Sequence, residues 1–207
     1  MFQGIGRAGI ALVTGLSLAL GGPAAAEVKS PRGVALMNGA VKLAGPAGYC
    51  VDMQAAEGGE SSVFVLLASC AALNGTGPAP KQVAVLTASV VAGAPTSVPL
   101  VDRFPEMAGF FQSREGRAAL SRAGDAGSVQ VHSVTAVDDV MFLRITDAAA
   151  SAGGQPVEPG YWRAIFALKG RIVTLSVLGL RDGPLEADDQ RELLDSFVRA
   201  VRKANGV

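Results

Sequence analysis

The sequence predicts an α+β fold, a single-domain antiparallel β-sheet with a mid-chain helix and a C-terminal helix packed on it. Three observations carry this. Residues 160–179, GYWRAIFALKGRIVTLSVLG, read as two strands joined at Lys169-Gly170. Residues 186–203 repeat apolar side chains at helical spacing and close the chain. Before them the order is several strands, one helical stretch and two late hairpins, a pattern of antiparallel pairing.

In the first of the two joined strands, alternation places Trp162, Ala164, Phe166 and Leu168 on one face and Tyr161, Arg163, Ile165 and Ala167 on the other. In the second, Val173, Leu175 and Val177 oppose Ile172, Thr174, Ser176 and Leu178. Neither strand has a wholly polar face. The hairpin is therefore expected at the centre of a sheet covered by helices on one side and in part on the other. Trp162, the single Trp, is read as core packing.

Residues 1–26 carry Arg7, an apolar run from Ile10 to Leu20, and GGPAAA before Glu27. This reads as a secretory signal peptide cleaved between Ala26 and Glu27. Its apolar run is shorter than the roughly 20 residues a membrane span needs, so no stable span is expected after cleavage. The expectation is export by the general secretory route to the periplasm. Gly4-Ile5-Gly6-Arg7-Ala8-Gly9 spells G-x-G-x-x-G, but no strand precedes it, so it is not a dinucleotide fingerprint. Removal of residues 1–26 takes away only Arg7 among the charged side chains, leaving one cation fewer than the 18 acidic residues. That balance predicts no attraction to nucleic acid or to an anionic membrane.

Residues 27–44 read as a lead-in, with a short strand over 34–43, and residues 45–204 as the domain, followed by a tail at 205–207. Tyr49–Met53 is a strand, Ala55–Ser62 a small, acidic loop with Gly58-Gly59, and Ser62–Ala71 a compact apolar run. Cys50 and Cys70 are the only cysteines. In an exported chain they form a structural disulfide, worth about 3 kcal/mol for a loop of this length. Leu67-Ala68-Ser69-Cys70 mimics a lipoprotein cleavage box, but it lies far from the N-terminus with no basic region ahead of it. Residues 74–81 form a Gly- and Pro-rich connector, and the Asn74-Gly75-Thr76 sequon within it is assigned no function. Gln82–Val91 is the next strand, with Val83, Val85, Thr87 and Ser89 alternating against Ala84, Leu86, Ala88 and Val90.

Residues 102–122 are helical, with Asp102 as N-cap, Pro105 in the first turn, and Phe104, Met107 and Phe111 as an apolar stripe. Gly116 weakens the second half, and a break at which Ser113 caps a second helix is left open. Arg103, Arg114, Arg117 and Arg122 alternate with Glu106 and Glu115, as on a solvated helix face, with an anion or partner patch as the functional alternative. Ser128–Thr135 and Val140–Asp147 form a hairpin turning at Asp138-Asp139, a pair with too few oxygen ligands for a metal. His132, the only His, lies mid-strand and is read as non-catalytic. Residues 148–159 are a long connection. The closing helix presents Leu193, Leu194, Phe197, Val198 and Val201 on one face, acids at its start, and Arg199, Arg202 and Lys203 at its end.

The element order, the two late hairpins and the closing helix with Ser196-Phe197-Val198 resemble the PsbP-like fold family over residues 45–204. The resemblance implies a small exported envelope protein and carries over no functional residue.

No G-x-S-x-G, H-E-x-x-H or P-loop occurs, so no catalytic, cofactor-binding or metal-binding residue is assigned. The first expectation is a non-enzymatic periplasmic envelope protein that binds a partner or assists an assembly, its partner another envelope protein or complex. It requires an exposed apolar or aromatic patch without a deep polar pocket. The alternative is a small-ligand carrier or enzyme whose site is assembled from His132, Arg144, Arg163 and Asp147, which would have to converge in one cavity.

Overall fold

The computed structural model describes residues 29–93, 98–149 and 156–207. The signal peptide expected over 1–26 and its expected cleavage point at Ala26 and Glu27 lie outside the described residues. The described residues form nine strands: β1 Gly33–Leu36, β2 Val41–Ala44, β3 Tyr49–Gly58, β4 Ser62–Ser69, β5 Ala84–Ala92, β6 Val129–Val137, β7 Val140–Asp147, β8 Val157–Leu168 and β9 Arg171–Leu180. The helices are α1 Cys70–Asn74, α2 Phe104–Gln112, α3 Arg114–Leu120 and α4 Ala187–Ala204. β1 and β2 form a separate hairpin, and the other seven strands form one antiparallel sheet in the order β3-β4-β5-β9-β8-β7-β6.

β9 is the middle strand of the seven and β8 its neighbour, which is why neither could afford a polar face. Their turn places Lys169 at φ 48° and Gly170 at φ 70°. Two successive positive φ values match the twist of a two-residue hairpin.

One face of the sheet is covered by α4. Leu193, Leu194, Phe197, Val198 and Val201 are all buried there, against Phe166, Val173, Leu175 and Val177. The segment read as a lead-in joins this core: β2 buries Val41 and Leu43. Asn205, just past α4, fastens the two. Its Nδ2 donates to the Lys42 and Val201 carbonyls at 2.7 and 2.8 Å, and its Oδ1 accepts from the Lys42 N–H at 3.0 Å.

The opposite face is covered by α2 and α3 over β6, β7 and β8. Phe104, Leu120, Met141, Leu143, Ile145, Tyr161 and Ile165 form its core, with Met107 and Phe111 packed against them. The helical stretch is broken at Ser113, whose hydroxyl accepts the Gly116 N–H at 3.0 Å. Gly116 makes the elbow possible, because a Cβ there would lie 1.9 Å from the Phe110 carbonyl oxygen.

Three local expectations change. Asp102 is not the cap of α2; it sits in a one-turn 3-10 helix, Leu100–Arg103, and α2 starts without a side-chain cap. The loop expected over 55–62 is shorter, because β3 continues to Gly58 past a bulge between Asp52 and Glu57, where the Asp52 carboxylate accepts the Gln54 and Ala55 N–H groups. The apolar run over 62–71 stops being strand at Ser69, and Cys70 opens α1. The Cys50–Cys70 disulfide is formed, with the two Cα atoms 4.8 Å apart, at the end of the β3–β4 hairpin away from its turn.

Candidate functional site

The helices α2 and α3 cover only part of their face. Over β4, most of β5 and the middle of β9 that face has no covering helix among the described residues, while Val85, Ile172 and Leu178 at the strand ends pack with the α2–α3 core. Register fixes what it presents. Phe64 pairs with Ser89 and Ser89 with Thr174; Leu66 pairs with Thr87, Thr87 with Ser176, and Ser176 with Arg163. The floor is thus a stripe of four hydroxyl side chains between the apolar column of β4 and the edge of the α3 layer. Phe64 is 40% exposed, although it lies mid-strand in a sheet.

Where this floor meets the end of α3 it deepens into a groove of about 310 Å³, lined by Phe64, Thr87, Leu120, Arg122, Tyr161, Arg163, Ser176 and Leu178. Tyr161 anchors it. Its hydroxyl donates to the Leu120 carbonyl at 3.3 Å, joining β8 to the last residue of α3. The guanidinium of Arg163 lies 5.3 Å from the ring centroid and that of Arg122 lies 5.8 Å away, within cation–π range. Burial raises the Tyr161 pKa above its ordinary 10.0, and the two arginines oppose that shift. Arg163 Nε donates to the Ser176 hydroxyl at 3.1 Å. Among the described residues neither Arg122 nor Arg163 has a carboxylate partner.

The four residues that could have assembled a catalytic or carrier site do not converge. Arg144 pairs with Trp162 and shares its face, the α4 side. His132 sits at the β6 bulge and bonds Thr146 Oγ1 through Nε2 at 2.8 Å, on Arg144's side of β7. Arg163 and Asp147 lie on the α2–α3 side. Asp147 is fully buried and its oxygens are occupied: they accept the Arg122 N–H and the Ser128 hydroxyl at 2.8 Å and the Ala149 N–H at 3.1 Å. It holds the end of α3 onto β7. The sheet separates the two pairs, and the carrier or enzyme built from them is corrected accordingly. Among the described residues no group of three or more His, Cys, Asp or Glu side chains is placed to hold a metal ion, and no helix is long and apolar enough to cross a membrane.

Sequence reading passed over Phe64 and placed Arg122 only within a mixed-charge segment. Phe64 lay inside a run apolar on both faces, and the signal that would have singled it out is its register with Ser89 and Thr174, which only strand pairing reveals. Arg122 was read with the mixed charge of a solvated helix face; it stands just past α3, turned to Tyr161.

No family model matches the chain. No curated protein matches it. Two similar solved structures are a point mutant of the protein Mog1 (12% identity, TM-score 0.43, covering 81% of this chain and 93% of that one) and the Saccharomyces cerevisiae Ran-binding protein Mog1p (11% identity, TM-score 0.44, covering 83% and 92%). A likeness at this level transfers no partner and no activity. Because the similar structures are Mog1 and not PsbP-like proteins, the PsbP-like assignment is corrected. The envelope-protein function and envelope partner expected with it, and the periplasmic location read from residues 1–26, find no support among these similar structures and are not carried further.

Proposed function

We propose that this protein is a polypeptide-recognition module, and that the open half of the α2–α3 face is its binding surface. The observation that carries the reading is Phe64, an aromatic side chain 40% exposed beside a groove, on a sheet face whose other half is sealed by helices. A large apolar side chain left half in water on a sheet is normally covered, and apolar surface gains about 25 cal/mol per Å² when it is. The groove is open and holds the volume of one or two side chains, which suits an anchor residue projecting from a partner. The hydroxyls of Thr87, Ser89 and Thr174 give the rest of the surface polar contacts.

A photoreactive phenylalanine analogue placed at position 64 tests this, with the same analogue at Val137, an exposed residue at the β6–β7 turn, as the control. Illumination in the native host is expected to give a discrete protein adduct from position 64 and none of that mass from position 137. No adduct from 64, or the same adducts from both positions, overturns the reading.

A further inference from the structure

We infer that the segment received by this groove carries a side-chain carboxylate next to an apolar anchor, and that Arg122 and Arg163 take the carboxylate; this rests on the recognition reading above. The first ground is the charge of the groove. Two guanidinium groups are held to one tyrosine ring, at 5.8 and 5.3 Å, with no ion-pair partner among the described residues. Both arginines line the same groove, so a carboxylate received there meets two cations that no carboxylate of the described chain neutralises. Asp147, against the end of α3, is committed to other donors: its oxygens accept the Arg122 backbone N–H, the Ser128 hydroxyl and the Ala149 N–H. The bond from Arg163 to the Ser176 hydroxyl uses Nε, which leaves the terminal nitrogens to face a ligand. Guanidinium groups bind carboxylates through paired, charge-assisted hydrogen bonds.

The second ground is where the opposite charge lies. Asp52 pairs with Leu66 and Glu57 with Phe64, so both acids stand on the same face as the groove, on β3 at its far side. The open face runs from acidic at β3, through apolar Phe64 and Leu66, to basic at Arg163 and Arg122. An incoming carboxylate is drawn toward α3 and repelled from β3. Its apolar neighbour then falls on Phe64. The field thus sets the direction in which the segment lies as well as its composition.

The probe is a displayed library of random dodecapeptides, selected on the purified protein, with enriched sequences resynthesised with amidated C-termini. Enriched peptides are expected to pair Asp or Glu with an aromatic or aliphatic residue and to bind with free C-termini blocked. Arg122→Glu, at an exposed position, is expected to weaken them about tenfold or more, and changing the peptide's acid to Lys is expected to restore binding to that variant. Arg163→Gln is the second variant, used after its melting curve is shown to match the wild type. Enriched peptides lacking an acid, acidic peptides indifferent to both variants, or binding lost on amidation would each overturn the inference. Peptides that bind through Phe64, shown by loss on Phe64→Ser, yet ignore the arginines defeat the carboxylate alone. If no selected peptide depends on Phe64, the recognition reading fails with it.

Discussion

The two faces of one sheet are finished differently. On the α4 side Leu193, Leu194, Phe197, Val198 and Val201 are buried in one core with the strands, β2 of the β1–β2 hairpin joins it, and Asn205 fastens helix to hairpin. On the α2–α3 side two short helices, nine and seven residues long, cover β6 to β8 and stop. The same strands serve both faces, so the difference does not come from strand sequence alone. It comes from helix length: an 18-residue helix spans the sheet and a helix of half that length does not. Stability is therefore concentrated on one face, and the capacity to bind on the other.

The largest expected effect tests the sealed face. Phe197 is fully buried in α4. Phe197→Ala is expected to cost about 4 kcal/mol, as a large cavity in a closed core does, and to shift the urea midpoint strongly. A cost below about 1 kcal/mol, by the same scale, would mean that α4 is not the principal seal.

Gly116→Ala probes the elbow that limits α2 and α3. A methyl group 1.9 Å from the Phe110 carbonyl cannot be accommodated, so the helices must part. A loss of about 2 kcal/mol is expected in equilibrium unfolding, with loosening confined in hydrogen exchange to α2, α3 and the strands beneath them. Equal loosening on the α4 side would show that the faces are not independent.

The two tyrosines offer a reading of both faces at once, since the chain has no others. Tyr49 belongs to the α4-side core and donates to the Gln82 carbonyl at 2.6 Å; Tyr161 lies in the groove. Burial raises both pKa values above 10.0, and Arg163 and Arg122 restrain the rise at Tyr161. The sign follows. The unfolded phenols ionise near pH 10 and the folded ones later, so each contributes stability below that pH that is lost as pH rises, at about 1.4 kcal/mol per pH unit. Tyrosinate absorbance is expected to show Tyr161 titrating first, and Arg122→Glu to delay it further. Tyr49 ionising first would contradict the placement of the arginines.

Much of the covered architecture was legible, and for physical reasons. The 160–179 hairpin announced its central place because neither face of either strand is wholly polar, and α4 because its burial stripe follows a helical period. The Ser113 break was readable as a cap, but its necessity was not, since the contact between Gly116 and Phe110 depends on how two helices meet. The open face was illegible for a related reason. Residues 62–69 carry apolar side chains on both faces, and that pattern says both can be buried without saying what buries them. His132, Arg144, Arg163 and Asp147 showed the converse: suggestive residue types, divided by the sheet once register was fixed.

The smallest stability effect carries the sharpest contrast. Phe64→Ala removes a ring already 40% in solvent, from a face with no layer above it, so no closed cavity forms. The expected cost is about 1 kcal/mol or less, against several for Phe197→Ala, although both remove the same side chain. Binding should invert the order. A half-exposed aromatic at the centre of a recognition surface is where truncation weakens a complex most, by about 2 kcal/mol or more, while a residue sealed beneath α4 contributes only through the fold. Thermal melts and peptide titrations on Phe64→Ala therefore have to disagree with each other. If the variant melts several degrees early and binds as before, Phe64 belongs to the core and the open face is not a binding surface.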